Sequence, residues 1–495
     1  MIRMIQFLNI SGIRFCCILF IGFLLSGCIE PNEVIYPIET IELAPHELLL
    51  EDQLGTLSQD SSFTQGVAAV DVNGDGYPEL YATNSWTNQS NFYYLNNKGV
   101  FSKDESSKLT SNFLNGNGCS WGDVNNDGFL DLAVANVNNA SNFLFKGLSG
   151  DKFEAIELRQ INKDESWTYG SNWVDVDNDG YLDLYLANFK NQQNVFYQNK
   201  LGILNERDLK LTSSNEHSSI HSVWTDLNND GLPDLILTGE KRTHIYKNLG
   251  DFVFEELTEQ SIVTEKMYSY GCSVADFNND GNLDLFFTNW KLKNCLYLND
   301  GEWNFEKVSK DVIGKELTNS EGSCWGDFDN DGWIDLAVAN DGVNSLFRNI
   351  DGVKFERIEV PGFTDTVRNS NALVWFDSNK NGFLDLYAAN GGNQRNQFFT
   401  NAANDNNWLK VKLKGVTSNT LGIGAKVKVY TKNKVQTQEV NSQAGGGCGS
   451  QKPLTLHYGI GKNQQVDSVQ VIWPSGISFS TSKPLINCTL LISEQ

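Results

Sequence analysis

The sequence is poor in the residues that most often do chemistry. Five histidines are spread over 495 residues. No HExxH, GxSxG or kinase-type set occurs, so the zinc-protease, hydrolase-elbow and kinase classes lack their motifs. The nine cysteines form no CxxC and no Cys/His cluster with zinc spacing, which removes zinc modules and thioredoxin-like redox chemistry. Basic residues are outnumbered 38 to 61, leaving a formal charge of −23. That sign excludes nucleic acid and anionic lipid surfaces as direct partners. Proline is rare, nine against 43 glycines, so turns fall to Gly, Asn and Asp. No helical periodicity of useful length follows the N-terminal segment. What remains is a turn-rich, folded β chain, too long for one compact core.

The one extended apolar stretch, "FCCILFIGFLL", lies in the first 28 residues behind Arg3 and Arg14. It is shorter than a spanning helix needs and reads as an export signal. "LSGC" (Leu25 to Cys28) resembles the lipobox of bacterial lipoproteins. The resemblance implies cleavage before Cys28, lipidation there, and stable anchoring by two or three acyl chains. With Ile29 rather than Asp next in line, it implies the outer membrane in a Gram-negative cell. The expected organisation is a signal over 1–27, a tether over 28–45, a repeat domain over 46–401 and a last domain over 402–495. Cys119, Cys272 and Cys324 each precede an acidic loop on an apolar strand and read as small core residues. Cys448 with Cys488 is a possible disulfide.

The main feature is a repeat. "DVNGDGYPEL" at Asp71 recurs from Asp123, Asp175, Asp226, Asp276, Asp327 and Asp377, at intervals of 50 to 52 residues. Each unit has an apolar lead-in, the acidic loop, an alternating strand such as "DLAVAN", a second such as "NFLFK", and a fourth segment with aromatics. Four short strands per 50-residue unit, seven times over, predict a seven-bladed β-propeller. The seventh unit lacks a fourth strand on its C-terminal side, so residues near 46–52 ("HELLLED") are expected to supply it. Trp121, Trp173, Trp224, Trp325 and Trp375 stand two residues before the loop Asp and read as inter-blade core.

The loops carry oxygen side chains at positions 1, 3, 5 and 9 and glycine at position 6. Alternate residues of a tight turn can point inward at one hard cation, which takes six to eight oxygens. The candidate ligands are Asp71, Asn73, Asp75 and Glu79; Asp123, Asn125, Asp127 and Asp131; Asp175, Asp177, Asp179 and Asp183; Asp226, Asn228, Asp230 and Asp234; Asp276, Asn278, Asp280 and Asp284; Asp327, Asp329, Asp331 and Asp335; and Asp377, Asn379, Asn381 and Asp385. The 22 carboxylates among them would repel one another without a counter-ion. Up to seven structural Ca²⁺ ions are expected, with the seventh loop, holding two carboxylates, the weakest. Mg²⁺ prefers stricter octahedral geometry and keeps its waters. These units resemble the FG-GAP/VCBS repeats of integrin α heads and bacterial surface proteins over residues 46–401.

Residues 402–495 have no such loop. "NNWLKVKLKG" and "AKVKVYTK" alternate lysine with apolar residues and read as two-sided strands. Trp408, Leu409, "GIGAKV" (Gly422–Val427), Gln451, "HYGIG" (His457–Gly461) and "WPSG" (Trp473–Gly476) resemble the ASPIC/UnbV domain of cartilage acidic protein. That implies a compact β-rich domain. "AGGGCG" lacks the Lys-Ser/Thr and helix of a phosphate loop.

No catalytic set emerges. His217 and His221 approach a strand rather than sharing a helix face. The face opposite the acidic loops is the expected ligand surface, with Trp86, Phe189, Lys190, Lys241, Arg242, Trp290 and Arg395 as candidates. Asn84, Asn136, Asn188, Asn289, Asn340 and Asn390 recur there and read as turn caps. The resulting expectation is a calcium-stiffened, membrane-anchored surface lipoprotein that binds a glycan or an envelope or extracellular protein. Its alternative is a calcium-dependent polysaccharide lyase or hydrolase on that face.

Overall fold

The computed structural model describes residues 47–495 except 87–88, 111–114, 150, 157–165, 212–217, 310–311, 316, 433, 444 and 448. The signal, Cys28, the whole tether, His217 and Cys448 therefore lie outside the described residues. The described chain is all-β apart from one four-residue α-helix, Ser261–Thr264, and two 3₁₀ turns.

Each repeat folds as a four-stranded antiparallel sheet. In sheet 3 the order is Thr168–Val174, Asp183–Asn188, Val195–Lys200, Ile203–Glu206. In sheet 7, Val367–Phe376, Asp385–Asn390 and Gln397–Asn401 are joined by Leu49–Glu51, with Leu49 opposite Asn401. The expected N-terminal strand thus completes the last sheet. Sheets 1 and 7 share a core of Val67, Ala69, Leu80, Val374, Phe376 and Tyr387. FG-GAP-like spacing and this succession of sheets fit a β-propeller.

The tryptophans before the loops are inter-sheet core, as expected: Trp121, Trp173 and Trp375 are 1%, 1% and 3% exposed. Trp173 donates from Nε1 to the Ser120 carbonyl of the preceding sheet, 3.0 Å away. It also explains the glycine of "WGD", because a Cβ at Gly122 would lie 2.7 Å from the Trp173 ring. Cys119, Cys272 and Cys324 are buried free thiols in the same layer.

Every first strand carries a β-bulge near its start, for example between Ser269 and Gly271 and between Ser320 and Gly322. A bulge re-aims the extra residue. The residues so placed include Tyr169, Tyr270, Glu321 and Asn371.

The C-terminal domain pairs Asn407–Lys414 with Leu456–Gly461 and, in parallel, with Thr489–Ser493. A second sheet orders Lys434–Glu439, Lys426–Thr431, Ser468–Ile472 and Ser478–Ser482. Its core of Leu409, Val411, Val427, Val469 and Trp473 is continuous with Trp173 and Leu182 of sheet 3.

The glycine-rich segment between these sheets enters the propeller. Gln451 N–H donates to the Val67 carbonyl (3.0 Å), and Cys119 N–H to the Gly449 carbonyl (3.1 Å). Trp121 N–H donates to Gln451 Oε1 (2.6 Å) and Trp173 N–H to Ser442 Oγ (3.0 Å). Gly445–Gly446 pairs with Ser323–Cys324 of sheet 6. One segment thus satisfies exposed backbone edges of sheets 1, 2, 3 and 6, which would otherwise stay unpaired. Glycine is required by the fit: a Cβ on Gly447 would lie 2.6 Å from Gly322 Cα.

Candidate functional site

The seven loops share one geometry with local variations. Position 4 takes left-handed backbone throughout, as at Asn126 (φ 56°), Asn178 (φ 53°) and Gly74 (φ 77°), which accounts for its recurrent Asn and Gly. In loop 2 the Asp123 carboxylate accepts N–H groups from Asp127 (3.0 Å) and Gly128 (2.9 Å), and loops 3 to 7 repeat this. Loop 1 departs: Lys412 meets Asp71 Oδ2, and Asp71 Oδ1 is buried without a hydrogen bond.

The position-9 carboxylate is a clamp at the base of the loop. Asp183 accepts from Val176 N–H (3.1 Å) and Asn199 N–H (2.7 Å). The side chain of that third-strand Asn joins its own sheet to the preceding one. Asn199 Nδ2 donates to the carbonyls of Leu182 (2.8 Å) and Val124 (2.7 Å). Asn248, Asn299, Asn349 and Asn401 repeat the pattern, and Asn96 links sheet 1 to Ser378 of sheet 7. These rivets were visible as the recurring Asn of "YQN", "YKN" and "FRN", but their reach to the neighbouring sheet was not.

The donor set fits a hard divalent cation. Carboxylate oxygens of Asp175, Asp177 and Asp179 lie within 4.8 Å of one another, as do those of Asp327, Asp329 and Asp335. Asp284 Oδ2 is buried without a hydrogen bond. Burial pushes the carboxyls of Asp131, Asp175, Asp276 and Asp385 up to about 7, because their charged forms are desolvated.

On the opposite face, the recurrent Asn residues are buried caps. Asn188 N–H donates to Asn194 Oδ1 (2.7 Å) and Asn188 Nδ2 to the Gln193 carbonyl (2.7 Å). Asn194 Nδ2 then reaches Ser219 Oγ of the next sheet (3.0 Å). They are structural, as their turn positions suggested.

The aromatic candidates fall into two groups. Trp86, 49% exposed, lies 5.4 Å from Trp167, and Lys190 Nζ sits 3.0 Å above the Trp167 ring. Phe189 packs 4.8 Å from Tyr169. Trp290 lies 5.3 Å from Tyr270, itself 5.6 Å from Tyr268. Lys241, Arg242 and Arg395 are exposed on other hairpins, and Arg242 turns to Glu256 (3.6 Å). Tyr169, Tyr268, Tyr270 and Glu321 went unnoticed in the sequence; the signal was the aromatic pair two apart in "WTYG" and "YSYG". Burial, then Asp341, pushes the Glu321 carboxyl up to about 8. His221 is 0% exposed in the strand Ser219–Thr225, so it belongs to the core.

The FG-GAP-like repeat pattern matches residues 71–134, 123–186, 226–287, 276–338 and 327–388, more than half of the sequence. The chain belongs to the FG-GAP-like repeat family. Residues 415–495 match the ASPIC and UnbV domain. Among relatives of this FG-GAP protein, the T-cell immunomodulatory protein homolog of Plasmodium falciparum (isolate 3D7) is 28% identical over 216 residues, 37% of this chain and 27% of that one. Cartilage acidic protein 1 of Homo sapiens is 24% identical over 248 residues, 47% of this chain and 37% of that one. The chain thus spans well under half the length of these two relatives. The Xenopus tropicalis counterpart is 24% identical over 480 residues, 86% and 72% of the two chains. Among solved structures, an Agrocybe aegerita lectin recognising non-reducing terminal N-acetylglucosamine is 14% identical, covering 72% of this chain and 94% of that one with a TM-score of 0.45. At that score it does not bear on function.

Proposed function

We propose that this chain is a seven-bladed, calcium-stiffened binding propeller, exported and anchored through Cys28, that takes a glycan on its aromatic face. The carrying observation is the pair of half-buried aromatic groups, Trp86–Trp167–Lys190 and Tyr268–Tyr270–Trp290. Flat rings partly open to solvent stack on the apolar faces of sugars, and neighbouring Lys side chains add polar contacts. Backbone ribbons hold this face: Trp290 pairs with Asn319 of the next sheet, and Arg395 with Ser61. Closure into a ring is supported by the Leu49–Glu51 strand and by Asn396 Nδ2, 3.2 Å from Thr64 Oγ1 across sheets 7 and 1.

Ca²⁺ would be held by the carboxylates at loop positions 1, 3 and 5, sharing the position-9 clamp. It would supply charge compensation and a cross-link between strands, with no role in a reaction. An enzymatic alternative rests on Glu321, 9% exposed, whose burial-raised carboxyl borders Tyr270 and could serve as a general acid. A glycan and polysaccharide array scored for both binding and cleavage decides. Binding that falls at least tenfold in Trp86→Ala and Trp290→Ala supports the proposal. Cleavage lost in Glu321→Gln favours the alternative, and binding to a protein partner alone would refute both.

A further inference from the structure

The loop face is not equally open at every repeat. In Asn407–Lys414, lysine alternates with valine and leucine, so Lys410 and Lys412 leave the strand on one side. Lys410 Nζ meets Asp377 Oδ2, the first carboxylate of loop 7. Lys412 Nζ lies 2.9 Å from Asp71 Oδ2, the first carboxylate of loop 1. From the adjoining sheet, Lys426 Nζ lies 2.9 Å from Asp226 Oδ2 in loop 4. It also donates to the Asp226 carbonyl (2.9 Å) and to Asn229 Oδ1 (2.6 Å), and the residue is only 6% exposed.

An ammonium at this distance occupies the volume a cation bound to position 1 would take, and repels it. The remaining loops differ. In loops 2 and 6 the ion pairs come from the sheet itself and meet positions 3 and 5: Lys146 at Asp127 (3.3 Å), Arg348 at Asp329 (2.7 Å) and Asp331 (3.0 Å). Lys434 of the C-terminal domain also reaches loop 6, where it donates to the Gly332 carbonyl (2.8 Å). From the C-terminal domain, position 1 of loop 2 meets the Thr420 hydroxyl (2.6 Å) and, among the described residues, no ammonium. In loops 3 and 5, no ion pair reaches a carboxylate among the described residues. Loop 3 gathers Asp175, Asp177 and Asp179. Loop 5 holds Asp284, 0% exposed, whose carboxyl is pushed up by burial and by the charges of Asp280 and Asp276, with no lysine or arginine against it among the described residues.

We propose that Lys410, Lys412 and Lys426 are built-in counter-ions that stand in for the divalent cation in loops 7, 1 and 4, leaving ion binding to loops 2, 3, 5 and 6. Neutralising the loop face and docking the C-terminal domain are then one event. The lysine-bearing side of these strands, which alternation alone would assign to solvent, is an electrostatic match for three acidic turns. This rests on the calcium reading of the loops above.

The test counts ions on folded full-length molecules by native mass spectrometry, after chelation and titration with Ca²⁺. The wild-type count is expected to stop three short of one per loop. Lys410→Met, Lys412→Met and Lys426→Met should each raise it by one, and Asp175→Asn and Asp276→Asn should each lower it by one. A wild-type chain with one ion per loop overturns the proposal, as does a count that the lysine variants leave unchanged. Lys412, whose side chain is 42% exposed, can be replaced with least risk to folding, so its variant alone decides if the buried ones do not fold. A chain that takes up no Ca²⁺ at all refutes the loop reading itself, with this inference, and is distinguishable from either result.

Discussion

At the scale of single residues, the asparagines and the buried histidine do work that composition conceals. Asn349 joins the Phe277 carbonyl of one sheet (2.8 Å) to the Ile334 carbonyl of its own (3.1 Å). His221 is fully buried, and burial pushes its imidazole down to about 4. A folded-state value below the unfolded 6.5 means that its stabilising neutral form is complete above pH 6.5. That contribution is lost as pH falls from there through about 4. The stability gap between wild type and His221→Leu should therefore be constant above about pH 6.5 and shift toward the variant by about 3 kcal/mol at about pH 4. Urea unfolding at several pH values measures it; a gap that does not move with pH contradicts the assignment. The sequence placed His221 on an approach to a strand but could not show that this strand has both faces covered. The loop oxygens were legible because their spacing is local. Tyr270 and Glu321 were not, because a bulge shifts the alternation by one residue.

At the scale of elements, the strands were readable and their neighbours were not. Lysine alternation in Asn407–Lys414 marked a two-sided strand, yet nothing local says that its polar side meets Asp377 and Asp71. The run "AGGGCGSQ" announced a turn-rich loop and turned out to be a segment hydrogen-bonded inside the propeller. Its glycines answer to close approach. Gly447 has φ 107° and no room for a Cβ beside Gly322. Gly447→Ala should cost about 2–4 kcal/mol, from backbone strain plus a clash with main chain. Gly476, with φ 83° and open space where a Cβ would stand, gives the contrast: Gly476→Ala should cost only about 1–2 kcal/mol. Equal losses in chemical denaturation would show that the segment is not tightly seated.

At the scale of the whole molecule, a four-stranded sheet cannot bury both of its faces, so the repeats stabilise one another. The period of 50 to 52 residues therefore revealed the architecture more securely than any single strand. Bonds between successive sheets, from Asn199 to Val124 and from Asn96 to Ser378, tie the loops into one layer. Three lysines of the C-terminal domain pair with carboxylates of that layer. The domain's place on the loop layer was beyond a linear reading. The central claim is that bound Ca²⁺ holds this layer together, and thermal unfolding of the full chain with and without EDTA tests it most directly. The melting temperature should fall on chelation and recover with Ca²⁺ but not with equimolar Mg²⁺; an unchanged melting temperature would contradict the account.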